Sequence, residues 1–238
     1  TATGEPSVVY CAGLPSDLVC RWTTPTNFRG GSEVVVETTG PILFDSGTST
    51  SVTTTPNEIV VADLDGINGP DVAMTVSDAG GGAGDVVILL NEGMSGNIWQ
   101  GFTELTAITV GINPMDIEVI DASNDGSADD LIIANNGSSS VSILTNNGSA
   151  TFTITDVTID TSPRYIAVSN FVEDGNGLDD IAVACDSFFM SVLQNTTTLV
   201  STSFNHLSSI SIPQPADIDP GDVNNDKDFD YILLNNSS

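Results

Sequence analysis

The sequence predicts an all-β chain of repeated four-stranded antiparallel units. Three observations lead there. No stretch has helical apolar periodicity of useful length. Short apolar runs are bounded by Gly, Asn, Asp and Pro, as strands are. One pattern recurs four times along the 238 residues: a proline followed seven residues later by Asp or Asn, in Pro56…Asp63, Pro114…Asp121, Pro163…Asn170 and Pro215…Asp222.

Each copy supplies the same elements in the same order. A phenylalanine about a dozen residues before the proline (Phe44, Phe102, Phe152, Phe204) opens a first strand, so the period is roughly 50 residues. The proline opens a second strand, and an acidic loop follows. A third strand comes next: Val72-Ala-Met, Leu131-Ile-Ile-Ala, Ile181-Ala-Val-Ala and Tyr231-Ile-Leu-Leu. Three copies continue into a fourth, Val86-Val-Ile-Leu-Leu, Val141-Ser-Ile-Leu and Met190-Ser-Val-Leu. Those end in Asn91-Glu-Gly, Asn146-Asn-Gly and Asn195-Thr-Thr, of which the first two are turn chemistry.

Four strands per period of this length is the signature of a β-propeller blade. A solenoid would need shorter coils, and a sandwich would show no such period. The expected organisation is a partial blade with connecting strands over 1–43, blades over 44–101, 102–151 and 152–203, and a partial blade over 204–238. That makes about four to five blades. Gly4–Tyr10 matches Asn68–Met74 in type, and the last copy stops after its third strand, so the chain reads as a segment of a longer propeller. A seven-bladed ring needs on the order of 350 residues, so other residues or a partner would complete it, or the assembly is open.

Composition narrows the function. Thirty-two Asp+Glu face 4 Lys+Arg and one His, for a net charge of −28. A nucleic-acid grip needs Lys/Arg stripes, which four basic residues cannot supply, and anionic membranes are equally unsuitable. A hydrophobic content of 39% and a mean hydropathy of +0.13 contradict the disorder that such acidity otherwise implies. No apolar run is long enough for a membrane span, and no signal peptide opens the chain. Cys11 and Cys20 enclose a short loop while Cys185 stands alone, which fits one disulfide in an oxidising compartment or three buried thiols. Sequons at Asn136, Asn147, Asn195, Asn235 and Asn236 are of the number that a chain rich in Asn, Ser and Thr produces by chance.

Close to half of the acids lie in the four loops. Loop four places oxygen side chains at Asp222, Asn224, Asp226 and Asp230, and loop two at Asp121, Ser123, Asp125 and Asp129, which are positions 1, 3, 5 and 9 of each. Alternate positions of a tight loop point inward, and hard cations such as Ca²⁺ take six to eight oxygens. Carboxylates so close would otherwise repel each other. Asx-rich turns without a metal are the alternative. An EF-hand needs an acid at position 12, where Ile132 and Leu233 stand. Loop one offers Asp63, Asp65 and Asp71 but has Ile67 at position 5, so its site is weakened or empty. Loop three offers Asp174 and Asp179, with a neutral opener, Asn170, and one extra residue.

This pattern, with its Val/Ile/Leu runs, resembles the FG-GAP/VCBS repeats of integrin-α-like propellers over about Phe44–Asn236. The resemblance implies a seven- or eight-bladed extracellular propeller with Ca²⁺ in the loop between two strands of a blade. It maps the ligands of loop four onto Asp222, Asn224, Asp226, Asp228 (main-chain oxygen) and Asp230. Those of loop two map onto Asp121, Ser123, Asp125, Ser127 (main-chain oxygen) and Asp129. Ile67, Asn170 and Lys227 in place of glycine depart from the pattern.

Catalytic constellations are absent: His206 is the single histidine, and neither Gly-x-Ser-x-Gly nor His-Glu-x-x-His occurs. Gly80–Asp85 lacks the Lys and helix of a phosphate loop and reads as a hairpin tip. Trp22 and Trp99 read as core or blade-contact aromatics. The leading expectation is a non-enzymatic, calcium-stabilised extracellular propeller segment for adhesion or surface and filament assembly, whose partner is a protein, a glycan surface or the chain itself. The alternatives are a lectin-like propeller and the propeller domain of a larger secreted enzyme.

Overall fold

The computed structural model describes residues 8–12, 19–23, 34–35 and 56–235, apart from 97, 173, 187, 199–200, 213–214 and 227. The chain divides into two compact units, Thr1–Ser49 and Thr50–Ser238. In the first, β1 (Val8–Ala12) pairs antiparallel with β2 (Val19–Thr23), and β2 with β3 (Val34–Val35). Cys11 stands opposite Cys20 in this register. Their side chains, like those of Trp22 and Trp99, lie outside the described residues.

The second unit is all-β, with no helix among the described residues. Its first sheet comprises β4 (Pro56–Ala62), β5 (Asp71–Val76) and β6 (Ala83–Asn91). The connection from β6 carries a small hairpin, β7 (Met94–Ser95) and β8 (Ile98–Trp99). The outer strand then comes in two pieces, β9 (Phe102–Glu104) and β10 (Ile108–Ile112), both paired with β6. The second sheet runs β11 (Pro114–Ile120), β12 (Asp130–Asn135), β13 (Ser140–Asn146), β14 (Phe152–Thr158). The third runs β15 (Pro163–Ser169), β16 (Asp180–Cys185), β17 (Phe189–Asn195), β18 (Phe204–Ser211), and β19 (Pro215–Gly221) pairs with β20 (Asp230–Asn235). All pairings are antiparallel, and within the second and third sheets each strand pairs with the next in sequence. The sequence repeat, counted from its Phe, is out of phase with the sheets, because β9, β14 and β18 close the sheet before.

Each proline is the first residue of its strand, where its missing N–H costs least. A register shift follows all four, between Pro56 and Ile59, Pro114 and Asp116, Pro163 and Tyr165, and Pro215 and Asp217. Such bulges re-aim the next side chains. The Gly80 run is the turn between β5 and β6, where Asp78 Oδ2 accepts the Gly82 N–H at 2.8 Å.

Consecutive sheets stack face to face. Leu131, Ile133 and Leu144 pack against Ala73, Val86 and Ile88 of the sheet before. Ile132, Ala134 and Ile143 pack against Ile181, Val183 and Leu193 of the sheet after. Central strands are thus buried on both faces, and β12 and β16 are buried at every residue. This explains why these runs are continuously apolar instead of alternating. Burying one Leu or Ile fully is worth roughly 1.5–3 kcal/mol. The first strands lie side by side, β11 next to β4 and β15, and β15 next to β19. All four acidic loops, each joining a first strand to a second, therefore sit at one end of the stack.

Candidate metal centre

One carboxylate organises each loop: the first residue of the second strand. Asp71 Oδ2 accepts the Leu64 N–H at 2.8 Å and its Oδ1 the Asn91 N–H at 2.7 Å. Asp130 does the same for Ser123 (2.7 Å) and Asn146 (2.6 Å), and Asp180 for Val172 (2.7 Å) and Asn195 (2.8 Å). Asp230 accepts the Val223 N–H at 3.1 Å. Asp71, Asp130 and Asp180 are buried. Burial raises the pKa of Asp130 and Asp180, and the donated N–H groups hold part of that rise back.

This places the loops in register. Asp130, not Asp129, corresponds to Asp71 and Asp230, so loop two carries one residue more than loops one and four. Asp130 and Asp180 were absent from the sequence candidates. Their signal is that each directly precedes the apolar run, as Asp71 and Asp230 do.

Inside the loops the acids accept hydrogen bonds from the chain just ahead. Asp63 Oδ1 accepts from Gly66 N–H at 2.9 Å and Asp65 Oδ1 from Ile67 N–H at 2.8 Å. Asp121 accepts from the N–H groups of Asp125 (3.0 Å) and Gly126 (2.9 Å), and Asp125 from that of Ser127 (2.9 Å). In loop four the Asp226 N–H meets both Asp222 Oδ1 (3.1 Å) and Asn224 Oδ1 (2.8 Å), and Asp226 Oδ1 accepts from Asp228 N–H (3.0 Å). The fourth loop position is left-handed in all three: Gly66 (φ 73°), Asn124 (57°) and Asn225 (66°). Gly and Asn tolerate that conformation. Loop three differs. Both oxygens of Asp174 are taken by neutral donors, the main-chain and side-chain nitrogens of Asn176 and the Gln194 amide, at 2.7–2.9 Å.

Among the described residues, three acids offer oxygens within 4.8 Å of one another at Asp63, Asp65 and Asp71. Loop one, expected to be the weakest, is the one whose carboxylates converge. Ile67 does not prevent it, because its side chain is exposed and its N–H serves Asp65.

Loop two offers a different indication. Asp129 is 6% exposed and its Oδ1 has no hydrogen-bond partner. Desolvation first, then the charges of Asp130, Asp125 and Asp121, push its pKa up to about 6. A buried carboxylate oxygen among like charges is costly unless a cation or proton meets it. Asn170 Oδ1, at the head of loop three, is also buried without a partner. The Ser123 hydroxyl lies near enough to Asp130 to favour its charge but makes no hydrogen bond of good geometry. Partial desolvation and the charge of Asp121 raise Asp179, so loops two and three face each other electrostatically. The donor set is all oxygen, which is the chemistry of a hard cation.

A second acidic group lies where the first strands meet. Glu58, Asp116, Glu118, Asp217 and Asp219, with Tyr165, line a cavity of about 340 Å³. Desolvation, opposed by the N–H groups of Ile166 and Ile117, raises Asp116 to about 6, with Glu58 and Asp217 adding to the rise. Desolvation and the charge of Asp116 raise Glu118 to about 7. Sequence reasoning passed over these residues, although acids recur two and four residues after the prolines. His206 is apart from both groups, with Nε2 3.8 Å from Asp160 Oδ2.

Compared with known proteins, the chain matches no family model and no curated protein. No helix among the described residues is long and apolar enough to cross a membrane.

Proposed function

We propose that this chain is a calcium-stabilised, non-enzymatic segment of an FG-GAP/VCBS-like β-propeller that works outside the cell in adhesion or surface assembly. The single observation that carries the reading is the unpartnered, buried Asp129 Oδ1 within an acidic loop whose counterpart, loop one, gathers Asp63, Asp65 and Asp71. The stacking of consecutive sheets, with first strands side by side, supports the propeller arrangement.

Asp63, Asp65 and Asp71 would hold the ion in loop one, and Asp121, Asp125 and Asp129, with Ser123, in loop two. Asp222, Asn224, Asp226, Asp228 and Asp230 would hold it in loop four. Bound calcium supplies two positive charges that offset the mutual repulsion of these carboxylates. The chain's own contribution is the clamp: Asp71, Asp130, Asp180 and Asp230 fix the loops to the second strands, so the ligands are oriented before an ion arrives.

Thermal unfolding of the chelator-treated chain, repeated in millimolar Ca²⁺, tests this. A native-only ligand at a hundred times its Kd stabilises by about 2.7 kcal/mol, so the midpoint should rise by about 5–10 °C. Asp125→Asn should diminish the rise and the number of ions bound in calorimetric titration. An unchanged midpoint with no heat of binding would leave the loops as metal-free Asx turns.

A further inference from the structure

Asn146, the last residue of β13, joins two of the acidic loops. It is 6% exposed. Its N–H donates to Asp130 Oδ1 at 2.6 Å, and its Oδ1 accepts the Gly148 N–H at 3.2 Å. Its Nδ2 carries two hydrogens and has three acceptors within reach. They are the Leu64 carbonyl oxygen at 2.7 Å, Asp129 Oδ2 at 3.2 Å and the Asp129 carbonyl oxygen at 3.4 Å.

The two main targets belong to different sheets. Leu64 stands between Asp63 and Asp65 and is fully buried. Its N–H donates to Asp71, and its carbonyl also accepts the Ala150 N–H at 2.8 Å. The residue at the centre of the converging carboxylates of loop one is therefore held by the sheet that carries loop two. At the matching position of the next sheet, Asn195 directs its Nδ2 to Asp179 O of its own loop at 3.1 Å.

We propose that Asn146 couples the two loops, so that a cation bound in loop two tightens the cation site of loop one; this rests on the calcium-binding reading above. One Nδ2 hydrogen serves Leu64 O and the other is shared by the two Asp129 oxygens, so the planar amide ties the two residues together. A cation on Asp129 withdraws electron density from its carboxylate and weakens its pull on Nδ2. The amide is then committed to Leu64 O, which holds Asp63 and Asp65 in their convergent arrangement. Binding in loop one tightens loop two by the same factor, because coupling free energies are reciprocal. Asn146, Leu64 and Asp129 are all buried, so water cannot easily take the place of either partner. Asn146 acts here as a positioning residue.

The full chain, stripped with chelator and titrated with Ca²⁺ alone, reports each loop through its own amide: Gly66 donates to Asp63 and Gly126 to Asp121. Their NMR shifts give one midpoint per loop. In Asp125→Asn, which disables loop two, the Gly66 midpoint should move to higher Ca²⁺ by about fivefold or more. In Asn146→Ser, adding Asp125→Asn should leave it in place. A Gly66 midpoint that Asp125→Asn does not move, with Asn146 intact, overturns the coupling while calcium binding stands. A shift that persists in Asn146→Ser overturns the role of Asn146. If neither amide responds to Ca²⁺ in the parent chain, the calcium reading falls and the coupling with it. Should Asn146→Ser fail to fold, the Asp125→Asn comparison in the parent still decides.

Discussion

Asp116 Oδ2 accepts the main-chain N–H of Ile166 at 2.6 Å, tying the first strand of one sheet to the first strand of the next. The same carboxylate stands in an acidic cavity where its charge is disfavoured. Its value to the fold is therefore the acceptor, and its charge is a burden.

Replacing Asp116 separates the two effects. Asp116→Ala leaves the Ile166 N–H without its acceptor and should cost about 1–3 kcal/mol. Asp116→Asn keeps an oxygen and removes the charge, and should lie within about 1 kcal/mol of the parent at pH 7.5. Urea denaturation measures both, and equal losses would refute the assignment.

The cavity also sets a pH dependence for the metal-free chain. Folded Asp116 and Glu118 sit at about 6 and about 7, against ordinary values of 3.8 and 4.5. Glu58 from β4, Asp217 and Asp219 from β19 and Tyr165 from β15 face them. The folded state then binds protons more readily than the unfolded state. The stability that these two groups contribute is full below about pH 4 and is lost as pH rises through about 4 to 7. In chelator, the melting midpoint should be higher at pH 5 than at pH 7.5 by about 3 °C or more. Asp116→Asn with Glu118→Gln should diminish that difference, Asp129 keeping part of it, and a parent profile of opposite slope would contradict it.

The clamp aspartates predict a sharp positional contrast. Asp180→Ala strands the N–H groups of Val172 and Asn195, and at about 1–3 kcal/mol each the loss should total about 2–6 kcal/mol. Asp174, six residues earlier and exposed, should cost under about 1 kcal/mol on replacement by Ala. Chemical denaturation of the two variants side by side checks this.

Equal places in the repeat should differ in cost where burial differs. Ile132 and Ile232 each stand two residues after a clamp aspartate, but Ile132 is fully buried and Ile232 is 45% exposed. Ile132→Ala should cost about 2–5 kcal/mol and Ile232→Ala under about 1 kcal/mol. Similar losses would show that the sheets do not stack as described.

Cys185 is fully buried, and burial pushes its thiol up to about 12. Its labelling by a thiol reagent at pH 8 should therefore follow the unfolding rate. Peptide mapping after timed exposure measures it, and rapid modification in the native state would contradict the burial.

Strand identity and loop position were legible because their causes are local. A proline at the start of a strand has no ladder N–H to lose, and clustered Asp, Asn and Gly favour turns. The tertiary structure decided what depends on distant partners. Leu131-Ile-Ile-Ala shows no alternation because a sheet covers each face, and only the stacking reveals which residue meets which neighbour. Asp129 and Asp130 are indistinguishable as adjacent acids, and pairing of Asp130 with Ile120 makes one the clamp and leaves the other with an unpartnered oxygen. Loop one looked weakest by composition, yet its carboxylates converge around Leu64, whose carbonyl is held by Asn146 from the next sheet. The acidic cavity, too, exists only because four first strands that are remote in sequence lie side by side. Backbone preference acts over a few residues and can be read along the chain, whereas burial and charge act through space and become visible only when the sheets are assembled.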